Sequence, residues 1–205
     1  MSLWCNDPGI GFNCLKSLGP RSILINSATL MPMRSFEKNL RTRFETHFAA
    51  SQVFDVESQC LTVVMKRGMN NVPLNFSAEK DTEAAVKDLG ASLVNIARVV
   101  PHGILVLFAS NDLMSQCMEQ WAVSSAKESP ILERLEGMKK IFKEDKYIQL
   151  TKHMVDDYQR HSKGRGAIFF ATFQGRAFEE LEFIDDMSRA VIVVGTPALP
   201  VETKR

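Results

Sequence analysis

Two short apolar runs near the end of the 205-residue chain constrain its fold most strongly. Residues Ala167–Phe173 and Ala190–Val194 are rich in β-branched and aromatic side chains, and a glycine follows each run within two residues. A polar segment of helix length separates them. This spacing is typical of a strand–helix–strand unit whose two strands lie parallel in one buried sheet. The pattern therefore predicts an α/β domain.

The rest of the chain continues this alternation. Further strands are expected at Arg21–Asn26, Gln52–Val56, Leu61–Met65 and Ile104–Phe108. Helical periodicity is found in Met33–His47, Ser77–Val99, Asn111–Trp121 and Ile148–His161. Buried strands alternating with helices predict a doubly wound parallel sheet with helices on both faces. Such sheets bind their ligands where the strands end, so the polar segments that follow strands are the candidate site.

Composition excludes few classes of function. The formal net charge of +1 gives no general basic surface for nucleic acid, although a local groove could still be basic. The cysteines and histidines have no metal-like spacing, so neither a metal site nor an iron–sulfur cluster is expected from them. The first residues do not resemble a signal peptide and no apolar stretch is long enough to cross a bilayer, so an intracellular, soluble protein is expected.

Three polar segments follow expected strands. Ser27-Ala28-Thr29 offers small hydroxyl residues, Ser110 offers a short donor, and Gly175-Arg176 joins a flexible backbone to a positive charge. Each segment also has an ordinary structural explanation. The first could be a turn, the second a helix N-cap, and the acidic run after Arg176 a solvated helix face.

In order and context, these segments resemble motifs III, IV and V of the iron–sulfur DNA helicases of superfamily 2, the group of the xeroderma pigmentosum group D helicase. Around Gly175 the chain reads QGRAFEELEF, which is similar to the R-G-K-x-S-E-G-I-D-F of that family. The segments Leu3–Gly9 and Asn95–Pro101 are more similar to the telomere-elongation branch than to the Fanconi anaemia group J branch.

The resemblance implies a RecA-like fold. Residues 1–33 would be the terminal strand of a first lobe, and residues 34–205 would be an incomplete second helicase lobe. In the family, motif III couples nucleotide state to DNA, motif IV and the start of motif V contact DNA, and later motif V carboxylates face the nucleotide cleft. The corresponding residues here are Ser27, Ala28 and Thr29 for coupling, Ser110, Gly175 and Arg176 for DNA, and Glu179 and Glu182 for the cleft.

The resemblance also implies partners and cofactors. Single-stranded DNA or DNA junctions and the first helicase lobe are the expected partners. ATP with Mg²⁺ would act in the complete protein, and an iron–sulfur cluster would belong to a segment absent here. A nuclear protein of DNA repair, recombination or telomere maintenance is expected.

Departures from the family pattern leave alternatives open. Asn111, Phe178 and Glu180 stand where the family has Tyr, Ser and Gly, and the phosphate loop, the DEAH box and the final arginine motif are missing. The chain alone is therefore expected neither to hydrolyse ATP nor to unwind DNA. The alternative is a degenerate, non-catalytic helicase-like protein that binds DNA or a partner, or else an unrelated α/β domain.

Overall fold

The computed structural model of the protein describes residues 7–27, 30–50, 55–76, 82–124, 128–144, 152–173, 175 and 185–196. The chain divides into two compact units, Met1–Thr62 and Val63–Arg205. Helices of the first unit are α1 (Pro8–Ser17), α2 (Met33–Leu40) and α3 (Val56–Gln59). The second unit contains α4 (Thr82–Val99), β1 (Gly103–Phe108), α5 (Asn111–Ala122), α6 (Ile131–Glu136), β2 (Lys140–Lys143), α7 (Lys152–Lys163), β3 (Ala167–Thr172), a 3-10 turn (Asp185–Met187) and β4 (Ala190–Val194).

A parallel sheet organises the second unit. Its four strands lie in the order β2-β3-β1-β4, and every neighbouring pair is parallel. The central strands β1 and β3 are buried along their whole length, as expected for a sheet covered on both faces. The predicted α/β fold with a parallel sheet is confirmed.

Side chains alternate between two cores along the central strands. Val106 and Phe170 point into one core, which contains residues of α4, α5 and α6 such as Trp121. Leu105 and Phe169 point into the other core, where α7 contributes the buried Tyr158. Because successive side chains of a strand face opposite sides, helices cover both faces of the sheet. The second unit is therefore a doubly wound α/β structure.

Helix α5 is fixed on α4 through a tryptophan. The buried indole of Trp121 donates from Nε1 to the carbonyl oxygen of Val86 at 2.8 Å. A Cβ atom at Gly90 of α4 would lie 2.5 Å from that Nε1 and 2.7 Å from Cδ1 of Ile131. The missing side chain at Gly90 thus allows the two helices to approach closely where Trp121 packs.

The first unit packs around aromatic rings. Phe44 contacts the rings of Phe12 in α1 and Phe36 in α2, with centroid distances of 5.9 and 6.4 Å. Asp7 caps α1 by accepting the Gly9 amide at 3.0 Å and pairs with Arg41. These contacts join α1 to α2 within the unit.

Several sequence predictions are wrong in this part of the chain. Arg21–Asn26 and Leu61–Met65 form no strand, since an apolar run becomes a strand only where a neighbour pairs with it, and the described residues supply none. Of the expected strand Gln52–Val56, residues 52–54 lie outside the described residues, and Val56 begins α3. The assignment of residues 1–33 and 34–205 to two helicase lobes stays a prediction.

Other predictions need new boundaries. Helix α2 ends at Leu40, well before the expected His47, because Arg41 adopts a left-handed conformation with φ of 51°. Helices α4 and α7 are described from Thr82 and Lys152, and the residues just before them lie outside the described part. The sequence did not predict α1, α6 or β2.

The close approach of α4 and α5 generates a stability prediction. Gly90→Ala should lower the free energy of unfolding by about 1–3 kcal/mol, because the added methyl group overlaps Trp121 and Ile131 in a packed core. Urea unfolding followed by tryptophan fluorescence measures the change. Gly137→Ala is the matched control, since a Cβ there meets nothing closer than 3.4 Å. Equal effects of the two substitutions would contradict the packing argument.

Candidate nucleic-acid interface

The ends of the four strands meet at one edge of the sheet. Main-chain hydrogen bonds hold this edge together: the Ala109 amide donates to the Val194 carbonyl at 2.9 Å, and the Phe173 amide donates to the Phe108 carbonyl at 3.2 Å. Ser110 follows β1 and Gly175 follows β3 directly beyond these bonds. The structure therefore brings the predicted motif IV and motif V positions to the same edge.

Ser110 is the N-cap of α5. Its backbone is extended, with φ of −150° and ψ of 160°, and its Oγ accepts the Leu113 amide at 3.2 Å. A helix N-cap is the ordinary structural explanation that the sequence analysis left open for Ser110. Ser110 takes the role because its extended backbone directs the hydroxyl back at the first helical turn.

The capping bond leaves Ser110 able to bind a further group. A hydroxyl that accepts one hydrogen bond still carries its own donor hydrogen, and the Ser110 side chain is exposed. The first turn of α5 adds main-chain amides and the positive end of the helix dipole. A phosphate oxygen placed here would meet a hydroxyl donor and a favourable field together.

Gly175 makes room for a carboxylate of its own chain. A Cβ atom at Gly175 would overlap the carboxylate of Glu144, the residue that follows β2. Glu144 is only 7% exposed, and its Oε2 accepts the Thr172 amide at 3.2 Å. The Gly175 amide itself donates to the Thr172 carbonyl at 3.0 Å. The glycine therefore shapes a tight turn against Glu144.

Sequence reasoning missed Glu144. It is an acid in a mixed, charged stretch, and the strand before it was not predicted. Only the pairing of β2 with β3 carries this carboxylate to the Thr172 amide. Its proximity also places a negative charge on one side of the turn that begins motif V.

The remaining predicted site residues are distributed differently. Ser27 is exposed in an irregular segment of the first unit. Ala28 and Thr29 lie outside the described residues, and so do Arg176, Glu179 and Glu182, together with the departures Phe178 and Glu180. The functional roles of all these residues, and those of Ser110 and Gly175, stay predictions.

The structure describes three cysteines, one in α5 and two in the first unit. Burial raises the pKa of the Cys117 thiol on α5 to about 12, so the thiolate is not accessible at neutral pH. Cys14 and Cys60 are exposed free thiols of the first unit. Across the described ranges, no group of three or more His, Cys, Asp or Glu residues could hold a metal ion.

None of the described helices is both long enough and apolar enough to cross a membrane.

Comparison with known proteins identifies the class. The model of the helicase C-terminal domain family matches residues 93–204, more than half of the chain, and the match includes all four strands and the edge described above. The chain belongs to this family. The match confirms the family resemblance found in the sequence.

The chain is also similar to individual relatives with curated names. The chain is 34% identical to a regulator of telomere elongation helicase 1 homolog from Oryza sativa subsp. japonica, over all of this chain and 21% of that protein. It is 32% identical to regulator of telomere elongation helicase 1 of Mus musculus, over 98% of this chain and 16% of that protein. The Drosophila melanogaster homolog is 30% identical over 98% of this chain and 20% of its own length. The chain thus spans about a fifth of the length of these curated relatives.

The contact between Gly175 and Glu144 predicts that substitutions at these two residues have strongly non-additive effects on stability. Gly175→Ala should lower the free energy of unfolding by about 1–3 kcal/mol, because the methyl group displaces the carboxylate that accepts the buried Thr172 amide. In a Glu144→Ala background the same substitution should cost less than about 0.5 kcal/mol, since the obstacle is gone. Urea unfolding of the four proteins gives the cycle. Gly164→Ala, whose Cβ would have 3.6 Å of clearance, is the control. Additive costs would show that Gly175 and Glu144 do not meet.

Proposed function

We propose that this chain is the C-terminal motor portion of an ATP-dependent DNA helicase and that the strand-end edge of its sheet contacts the backbone of single-stranded DNA. The observation that carries the proposal is Ser110 at the start of α5, placed beside the motif V turn by the pairing of β1 with β3. Membership of the helicase C-terminal domain family supports it.

The proposed contacts are made with phosphate groups and do not distinguish between bases. Ser110 donates its hydroxyl hydrogen, and the first turn of α5 contributes its positive dipole end. Arg176 adds the permanent charge. Because the Gly175 amide already donates within the turn, we assign Gly175 the role of shaping the loop that presents Arg176. The DNA strand runs on the Ser110 side, away from the negative charge of Glu144.

In the complete protein, we propose that ATP and Mg²⁺ bind between this lobe and a first lobe. Ser27, Ala28 and Thr29 then couple nucleotide state to DNA, and Glu179 and Glu182 face the nucleotide cleft. The 205 residues contain no phosphate-loop pattern, which supports the proposal that they do not hydrolyse ATP or unwind DNA by themselves. The names of the relatives, which refer to telomere elongation, support a role at telomeres. We further propose that the protein is nuclear and takes part in telomere maintenance, repair or recombination.

One described residue favours the second candidate, a degenerate helicase-like protein that binds without catalysis. Asn111 begins α5 where the family has a tyrosine, so the proposed DNA edge lacks an aromatic ring at this position for stacking on bases. The remaining contacts are polar, and they suit backbone binding with or without a motor cycle.

DNA binding of the isolated chain tests the edge. Ser110→Asp should preserve the helix cap but weaken binding of a fluorescent oligothymidylate, because the donor hydrogen is replaced by a negative charge. Ser110→Ala should weaken binding and also lower stability by about 1 kcal/mol. Ser129→Ala, an exposed serine before α6, should change neither. Wild-type affinity in Ser110→Asp would remove Ser110 from the interface.

The salt dependence of the same titration tests Arg176. Arg176→Ala should weaken binding for any DNA sequence and reduce the slope of log affinity against log salt concentration by about 0.7, the value for one phosphate contact on a single strand. Arg205→Ala serves as the charge-matched control. An unchanged slope in Arg176→Ala would exclude a phosphate contact at this residue.

ATP turnover in a full-length protein separates the two candidate functions. Glu180 adds a negative charge where the family has glycine, so wild type should show slow DNA-stimulated turnover and Glu180→Gly should raise it. The rate is measured for both proteins on the same single-stranded DNA. A measurable rate that does not rise would show that Glu180 does not oppose the nucleotide. Absence of turnover in both would favour the non-catalytic protein.

A further inference from the structure

A buried lysine lies at the opposite edge of the sheet. Lys139 comes just before β2 and is only 3% exposed, and its Nζ donates to the carbonyl oxygen of His102 at 2.7 Å. His102 precedes β1, so this contact is at the edge where the strands begin, across the sheet from Ser110. Burial lowers the pKa of the Lys139 ammonium, because the charged form loses its hydration.

The Lys139 ammonium has no carboxylate partner among the described residues. Asp186 at this edge lies 3.7 Å from Nε2 of His102 and 3.0 Å from the guanidinium of Arg189, and its ion pairs are with those residues. An ammonium carries three donors, and the His102 carbonyl accepts one. Buried charges in proteins are normally paired, so this edge has a capacity for an anion that the described chain leaves unused.

Lys139 is one of the residues that line a groove at this edge. It has a volume of about 450 Å³ and is open to solvent, and the residues that line it include Lys139, Arg98, His102 and Arg165. None of the described residues along the groove is acidic. Two arginines, one lysine and one histidine therefore line a single open space.

The backbone is shaped around the ammonium. Gly166 has a φ of 106°, a conformation that side chains rarely tolerate, and a Cβ there would lie 2.5 Å from Nζ of Lys139. The same Cβ would lie 2.9 Å from the His102 carbonyl oxygen. Gly166 thus leaves space for the Lys139 ammonium at this edge of the sheet, because any side chain at this position would overlap it.

Helix dipoles explain only some of the basic side chains that line this groove. Helices α4 and α7 end near this edge, at Val99 and Lys163, and basic side chains near helix C-termini are stabilised by the dipole. That effect explains exposed cations such as Arg98 and Arg165. It does not explain why a lysine is buried beside them without an acid, because an exposed lysine would offset the dipole at lower desolvation cost.

We propose that this groove is a binding site for a phosphate group, with Lys139 at its base and Arg98 and Arg165 at its rim. A phosphate group suits these three basic side chains better than a carboxylate does, because its oxygens surround the phosphorus and accept hydrogen bonds from several directions. The phosphate is either free or part of a nucleic-acid backbone. The site lies across the sheet from the DNA edge proposed above and does not depend on it.

Titration of the whole 205-residue chain with inorganic phosphate tests the site. Ionic strength is held constant with sodium chloride, and amide NMR shifts of His102 and Gly166 are followed. Saturable shifts are expected, and Lys139→Met should weaken the affinity by roughly tenfold or more, the usual loss for a charged hydrogen bond. Lys139→Arg should retain binding. Lys140→Met, the exposed neighbour, should behave as wild type and is the matched control.

A second variant protects the test against misfolding of Lys139→Met. Arg98→Gln combined with Arg165→Gln changes only exposed rim residues and should also weaken phosphate binding by roughly tenfold. Shifts that do not saturate, or phosphate affinity unchanged in the rim variant, would overturn the proposal.

Competition identifies the source of the phosphate. Single-stranded DNA that displaces inorganic phosphate from the His102 and Gly166 signals would make the nucleic-acid backbone the ligand. Phosphate that remains bound at saturating DNA would make the free ion the ligand. Wild-type DNA affinity in Ser110→Asp, together with saturable phosphate binding that Lys139→Met weakens, would contradict the proposed DNA edge alone and leave this site standing.

Discussion

The parallel pairing of β1 with β3 and β4 is the constraint on which the second unit depends. Burial of apolar side chains on both faces makes these strands the centre of the sheet, and the register that aligns Phe108 with Thr172 and Val194 fixes both edges at once. Slippage of a strand by one residue would exchange the two cores and displace every residue at the strand ends. The position of Ser110 relative to Gly175 is therefore a consequence of core packing.

Elements whose sequence pattern is complete in itself were predicted correctly. Strands β1, β3 and β4 and helix α5 agree with expectation within a residue or two, because their apolar periodicity is local. Strand β2 was missed because it reads KIFK and buries only Phe142, so its neighbour β3 decides its conformation. Arg21–Asn26 was mistaken for a strand for the converse reason, since its apolar pattern has no described strand to pair with.

The same distinction applies to the site. Ser110 and Gly175 were found from sequence because strand ends are local features. Two charged residues were not found, although they lie at either end of β2: Lys139 is buried at one edge of the sheet and Glu144 at the other. Their burial arises from β3 and the turns around it, about thirty residues further along the chain. Strand β2, which is short and has few apolar residues, thus has a buried positive charge at one end and a buried negative charge at the other. The local sequence around β2 does not reveal that either charge is buried.

Strand β4 carries a practical consequence for work with the isolated chain. Among the described residues it pairs only with β1, so its other backbone edge presents unpaired amides and carbonyls. On one face, Val191 and Val193 are 55% and 54% exposed. A regular strand edge beside exposed valines is a template for edge-to-edge association between molecules. We expect this edge, as the described residues leave it, to favour association at high protein concentration, and Val193→Lys should oppose it because Val193 is outside both cores.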